Sequence, residues 1–185
     1  MLAGPVSRQS GGAADWALTL IEYGRYFRVA PEGPIADVPS INVAYDADHL
    51  DKALGPDATG FYEVEVHARL RTDGARMWRV PAAVMVDDNR RPLAEAVLAQ
   101  FHHGRLYGGQ RSTRRSIPSR LLHLALTPAI PLVLLARIAP ETWAAGRGSQ
   151  LIRALPALAL LLLAWAVGEA TGTLAGEGDS HRHWT

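Results

Sequence analysis

Fifteen consecutive residues between Arg153 and Glu169 carry no charge, and this run limits the chain's options more than any other feature. In "LIRALPALALLLLAWAVGEATGTL", 151–174, the Leu and Ala flanks extend it further. A helix of roughly 18–20 such residues crosses the ~30 Å hydrocarbon layer of a bilayer. Arg153 can snorkel at one end, and Trp165 suits the interfacial belt near the other. The competing reading is a buried core helix, for which a chain of 185 residues offers little surrounding protein. The expectation is a transmembrane helix over 151–174.

A second apolar segment, "LLHLALTPAIPLVLLARI" at 121–138, is interrupted by Pro128 and Pro131 and has His123 and Arg137 close to its ends. Proline is tolerated in membrane helices where neighbours re-satisfy the backbone, so a kinked span, a re-entrant hairpin and an interfacial helix all stay open. Arg105, Arg111, Arg114, Arg115 and Arg120 precede it. The positive-inside rule keeps that cluster, and the domain before it, in the cytoplasm. The side taken by the polar tail, 176–185, depends on whether 121–138 spans.

Residues 1–120 are mixed in character, with 15 Arg or Lys against 14 Asp or Glu. The net charge of +1 argues against nucleic acid, which needs a clustered basic face. With no cysteine, disulfides and thiolate metal sites are excluded. The first residues, "MLAGPVSRQSGGAADW", lack the basic start and apolar core of a signal peptide.

The fold class read from this part is α/β. "ADWALTLIEYGRYF" has helical spacing with Asp15 as N-cap, and "PEGPIADVPS" reads as loop. "INVAY" reads as a strand and "DADHLDKALG" as a short helix closed by Gly55. "ARMWRVPAAVMV" reads as one or two strands broken at Pro81. "RPLAEAVLAQFHHGRLYG" starts a helix near Pro92, with Leu93, Val97, Phe101 and Gly108 as its apolar stripe. "GFYEVEVHARLRTDG", 60–74, is the ambiguous one: "EVEV" alternates like a strand, yet Tyr62, Val66 and Leu70 recur every four residues. Gly74 is a good residue to follow a helix, so a helix opening on Glu63 and Glu65 is favoured. Carboxylates in a first turn are favoured by the helix dipole alone, without any chemistry.

The order "LAGPV", "DWALTLIEYGRYF", "VPSINVAYDADHL", "GFYEVEVHARLRTDG", "QFHHGRLYG" and then apolar segments resembles the C-terminal half of bacterial membrane-associated family-2 glycosyltransferases, over about residues 2–175. That resemblance implies a partial GT-A-like domain over 1–120, the acceptor-side half, followed by one or two transmembrane helices. It implies transfer of a sugar from a nucleotide-sugar donor to a lipid-linked or cell-envelope glycan acceptor. The soluble part would face the cytoplasm at the inner membrane.

Carried over residue by residue, Asn42 and Tyr45 of "INVAYD" fall on the acceptor side, and Glu63 falls on the general base. A carboxylate suits that role because it takes the acceptor hydroxyl proton during attack. The family has Asp there, so Glu63 lengthens the arm by a methylene, and Tyr62 stands where the family has Glu. Glu65 falls on a supporting acidic position. "QFHHGR" resembles the segment over the donor pyrophosphate, where Arg105 offers a fork of donors, with His103 or His102 beside it and Gln100 a weaker match. The alternative for Arg105 is one more lipid-facing member of the Arg cluster. "VDDN" at Asp87–Asn89 falls after the strand where some GT-A enzymes place a late metal ligand, while a turn after a strand is the commoner use of Asp-Asp-Asn.

The Asp-x-Asp that holds a divalent metal, Mg or Mn, on the donor diphosphate in this family is absent; "DAD" at Asp46–Asp48 falls too late in the order. The resemblance therefore implies a fragment, one half whose partner polypeptide supplies the donor site and metal ligands, or a remnant without catalysis. The alternative to an enzyme is a non-catalytic membrane-anchored scaffold or partner subunit.

Overall fold

The computed structural model describes residues 1–28, 30–35, 37–39, 41–55, 63–113 and 116–183, with backbone alone for 63–65. The chain opens with β1 (Leu2–Ala3) and β2 (Val6–Ser7), then α1 (Ala13–Tyr23), β3 (Gly33–Pro34) and β4 (Val43–Ala44). Next come α2 (Ala47–Leu54), α3 (Glu63–Thr72), β5 (Trp78–Arg79) and β6 (Met85–Val86). The remainder is helical: α4 (Leu93–Thr113), α5 (Ile117–Leu126), α6 (Ile130–Ala144) and α7 (Gly148–Ala175). The expected mixture of helix and strand is present. It divides into two compact units, Met1–Ser7 with Tyr26–Asp87, and Arg8–Arg25 with Asp88–Thr185.

The first unit holds every described strand. A four-stranded sheet runs β3-β5-β1-β4, with β1 parallel to β5 and antiparallel to β4, while β2 and β6 form a separate parallel pair. One small core gathers Ala3, Val38 and Met77, and another gathers Ala53, Val66 and Leu70 between α2 and α3. Burial of Val66 and Leu70 explains why "EVEVHARL" is a helix: spacing by four puts both on one face. Gly55 and Gly74 follow α2 and α3 at φ +76° and +78°, positive values that glycine adopts without the cost a Cβ would bring. The segment 31–40, expected as loop, contains β3, because Ile35 N–H donates to the Met77 carbonyl at 3.1 Å and draws the strand onto β5.

Two boundaries differ from expectation. Helix α1 begins at Ala13 with Gly12 as N-cap, not at Asp15. The Asp15 carboxylate reaches back to accept from Gly12 N–H at 2.8 Å, the acidic half of a capping box. Of the expected stripe of Leu93, Val97, Phe101 and Gly108 only Gly108 is buried; the buried face of α4 is Ala96, Ala99, Gln100, Gly104, Leu106, Gly108, Gly109 and Ser112. The reason is its neighbour α7. A Cβ at Gly104 or Gly108 would overlap the Trp165 or Glu169 carbonyl, and one at Gly168 or Gly172 would overlap the Phe101 or Arg105 carbonyl. Two G-x-x-x-G pairs thus face one another, and only small residues let the backbones meet.

Helix α7 has two faces. Leu158, Leu161 and Leu162 are buried, each burial contributing about 1.5–3 kcal/mol. Ile152, Leu160, Leu163 and Val167 are exposed on the other side. Contrary to the sequence argument, the chain does cover one face, through α4, α1 and α6. Between Leu126 and Ile130 the second apolar segment passes through a 3₁₀ turn at Thr127–Ala129, which joins α5 and α6 into one helical run. Pro128 and Pro131 each sit in a first turn, where the missing N–H goes unused. Gly146, at φ +73°, reverses the chain into α7. Ile117–Ala144 and Gly148–Ala175 are both long and apolar enough to cross a membrane.

Candidate functional site

In the first unit, β4 delivers Tyr45 to the flank of α3, where its hydroxyl lies 2.6 Å from His67 Nε2. His67 is 5 % exposed, and burial first of all pushes its imidazole below its ordinary pKa. Arg71 pushes the same way and Asp37 opposes. The ring is therefore held neutral at neutral pH; with its proton on Nδ1, Nε2 accepts from Tyr45 O–H. Beside this pair Asp46 caps α2, accepting from His49 N–H at 3.1 Å and meeting His49 Nδ1 at 2.7 Å. These hydrogen bonds pull the Asp46 carboxyl below its usual range. The "DAD" motif is thus a helix start. An open cavity of about 600 Å³ is bounded by Tyr45, Asp46, His49, Leu70, Arg76 and Trp78. Its lining mixes two aromatic rings with both signs of charge, which suits a polar ligand with apolar faces.

Asn42 immediately precedes β4, and its Nδ2 donates to the carbonyls of Pro5 at 3.0 Å and Ala83 at 2.6 Å. That ties three segments together and leaves Oδ1 as the group able to accept from a ligand. Glu63 is the first residue of α3, and Glu65 lies in the same turn. Their side chains, like Tyr62, Arg114 and Arg115, lie outside the described residues. Asp87–Asn89 follow β6 directly, with Asp87 N–H donating to the Ser7 carbonyl at 2.8 Å.

Gln100, His103 and Arg105 lie on α4, in the second unit. Gln100 is 1 % exposed and donates to Glu22 Oε1 at 3.4 Å. Arg105 Nε donates to the Gly176 carbonyl at 3.3 Å, at the end of α7. Arg120 Nη2 similarly donates to the Thr173 carbonyl at 2.9 Å. Cations here complement the negative end of the helix dipole. His103 is half-buried, and burial, then Arg91 and His102, depress its pKa. His102 turns elsewhere, stacking on His183 at 4.2 Å and meeting Ser180 Oγ at 3.1 Å.

Sequence reasoning missed a buried polar cluster around Glu169 of α7, which is 3 % exposed. Its Oε1 lies 2.8 Å from His123 Nε2 of α5 and 3.6 Å from Arg111 Nη1 of α4, while Oε2 accepts from Trp165 Nε1 at 3.1 Å. Arg111 also donates to Tyr107 Oη at 2.9 Å and lies over that ring. The legible signal was a lone carboxylate next to Gly168 in an otherwise apolar helix; such residues face inward and pair. Among the described residues no three His, Asp or Glu side chains gather to hold a metal. The chain matches no protein-family model, no curated protein and no solved structure.

Proposed function

We propose that the chain is the acceptor-side part of an inverting glycosyltransferase of the family-2 kind, held at the cytoplasmic face of a membrane by its apolar helices. The observation that carries this reading is the 2.6 Å contact between Tyr45 and His67. It ties the segment bearing Asn42 to α3, which opens on Glu63, and an open cavity lies alongside. An acceptor hydroxyl attacks the anomeric carbon of a nucleotide sugar. The new glycosidic C–O bond forms as the bond to the nucleoside diphosphate breaks, and Glu63 takes the proton. Asn42 and Tyr45 position the acceptor with support from Glu65; His103, Arg105 and Gln100 belong to the donor side. The acceptor is a lipid-linked or envelope glycan.

A divalent ion would neutralise charge on the leaving diphosphate. The described residues do not form a site for it; its ligands and the nucleotide pocket would come from a partner polypeptide. A non-catalytic anchored subunit is favoured by one observation, that Gln100 and Arg105 direct hydrogen bonds into helix packing.

The test replaces Glu63 by Gln in the native gene and follows labelled sugar from nucleotide donors into lipid-extractable and envelope glycan in isolated membranes. Transfer falls about a hundred-fold or more while the membrane level of the protein holds. Undiminished transfer at equal protein level rejects the catalytic reading.

A further inference from the structure

We propose that the hairpin of α5, α6 and α7 is a docking surface for an anionic bilayer that lies in the plane of one leaflet rather than crossing the membrane. This rests on the membrane reading above and adds its geometry.

The apolar surface comes first. Leu121 and Leu122 of α5, Leu132 of α6, and Leu160, Leu163 and Val167 of α7 are each half or more exposed. Only 6 % of the most apolar stretch of Ile117–Ala144 is buried. An uncovered surface of this kind marks a lipid or protein contact rather than a water-facing side.

The covered face of α7 decides the geometry. Arg147, its N-cap, lies over the Trp16 ring of α1 at 5.9 Å. Farther along, Gly168 meets the Phe101 carbonyl of α4, and beyond the helix end Glu177 lies against Gly109. Helices from the polar part of the chain therefore flank α7 from one end to the other. A spanning α7 would carry them into the hydrocarbon with Glu22, Gln100, His102, His103 and Arg105 aboard. Ionisable groups at that depth are costly. A helix lying in the interface instead buries its apolar side and leaves the covered side toward water.

Charge identifies the occupant. Over 117–175 there are four arginines, Arg120, Arg137, Arg147 and Arg153, against Glu141 and the buried Glu169. Arg137 and Arg153 are exposed. Anionic headgroups attract such residues at the edge of an apolar face.

The chain has no cysteine, so single-cysteine variants report sidedness directly. Ser149→Cys sits in the first turn of α7, and Asp73→Cys is an exposed residue just after α3. Each full-length variant is treated with a membrane-impermeant maleimide in intact cells and in inverted membrane vesicles. The in-plane arrangement makes both react in inverted vesicles and neither in intact cells. Reaction in intact cells of Ser149→Cys, or of a third variant, His181→Cys beyond the end of α7, overturns it while the membrane reading stands. Purified protein is also floated with phosphatidylglycerol-containing or pure phosphatidylcholine vesicles. Arg137→Gln and Arg153→Gln each weaken binding to the anionic vesicles about five-fold. Equal flotation with both vesicle types overturns the anionic-surface assignment. Failure to float with either, together with dimerisation, makes a second copy the occupant and overturns the membrane reading as well.

Discussion

His123 Nε2 and Glu169 Oε1 lie 2.8 Å apart, and this contact fastens α5 to the face of α7 that also receives α4. Arg111 and Trp165 complete the shell of the carboxylate, so its oxygens are met from three helices. Removing one partner of a buried polar cluster of this kind is strongly destabilising, because the groups left behind are uncompensated.

Replacing Glu169 by Ala leaves His123 and Arg111 turned toward an empty site. The expected loss is about 3 kcal/mol, read as a lowered unfolding midpoint in detergent micelles. Glu169→Gln keeps hydrogen-bonding oxygen and nitrogen and loses less. A change no larger than that of the surface control Asp73→Ala contradicts the assignment.

The glycine seam is equally exposed to test. Gly168→Val drives a branched side chain into the Phe101 carbonyl and forces α4 from α7, at a cost of about 2–3 kcal/mol. Ala159→Val, on the exposed side of the same helix, is close to neutral. Comparable melting of the two variants means the helices do not meet at glycine.

Tyr45→Phe removes the hydroxyl that engages His67 while keeping the ring. A loss of about 1 kcal/mol is expected, because the His67 nitrogen is left buried without that partner. Urea titration followed by tryptophan fluorescence measures it, and an unchanged midpoint shows the bond is not made in solution.

Acid has a predictable effect through the same histidine. Burial sets the folded pKa of His67 below its ordinary 6.5, so the unfolded chain binds more protons between the two values. His67 therefore leaves stability unchanged well above pH 6.5 and lowers it as pH falls below that value and on through the folded pKa. The urea midpoint of the native chain should drop over this window more steeply than that of His67→Gln. Parallel curves exclude His67 as the group responsible.

The parts of the fold that sequence made legible are those governed by local chemistry. Asp46 and Gly55 bracket α2, Gly74 follows α3, Pro81 separates β5 from β6, and Pro92 precedes α4. The parts it obscured depend on distant partners. Strand β3 exists because β5 lies alongside it. Gly104 and Gly108 read as weak points in a helix until the facing Gly168 and Gly172 are seen. Likewise Tyr45 and His67 are 22 positions apart, and nothing local pairs them.

By itself the sequence determined that a mixed segment of helices and short strands is followed by two long apolar segments, and that no cysteine is present for thiol chemistry. Those properties follow from composition and from periodicity along a few turns. Tertiary structure alone decided that Glu169 is enclosed by His123, Arg111 and Trp165, that Gln100 faces protein, and that one side of α7 is covered while the other is exposed. Burial is a property of what lies across a contact, and a residue's neighbours in sequence carry no record of it.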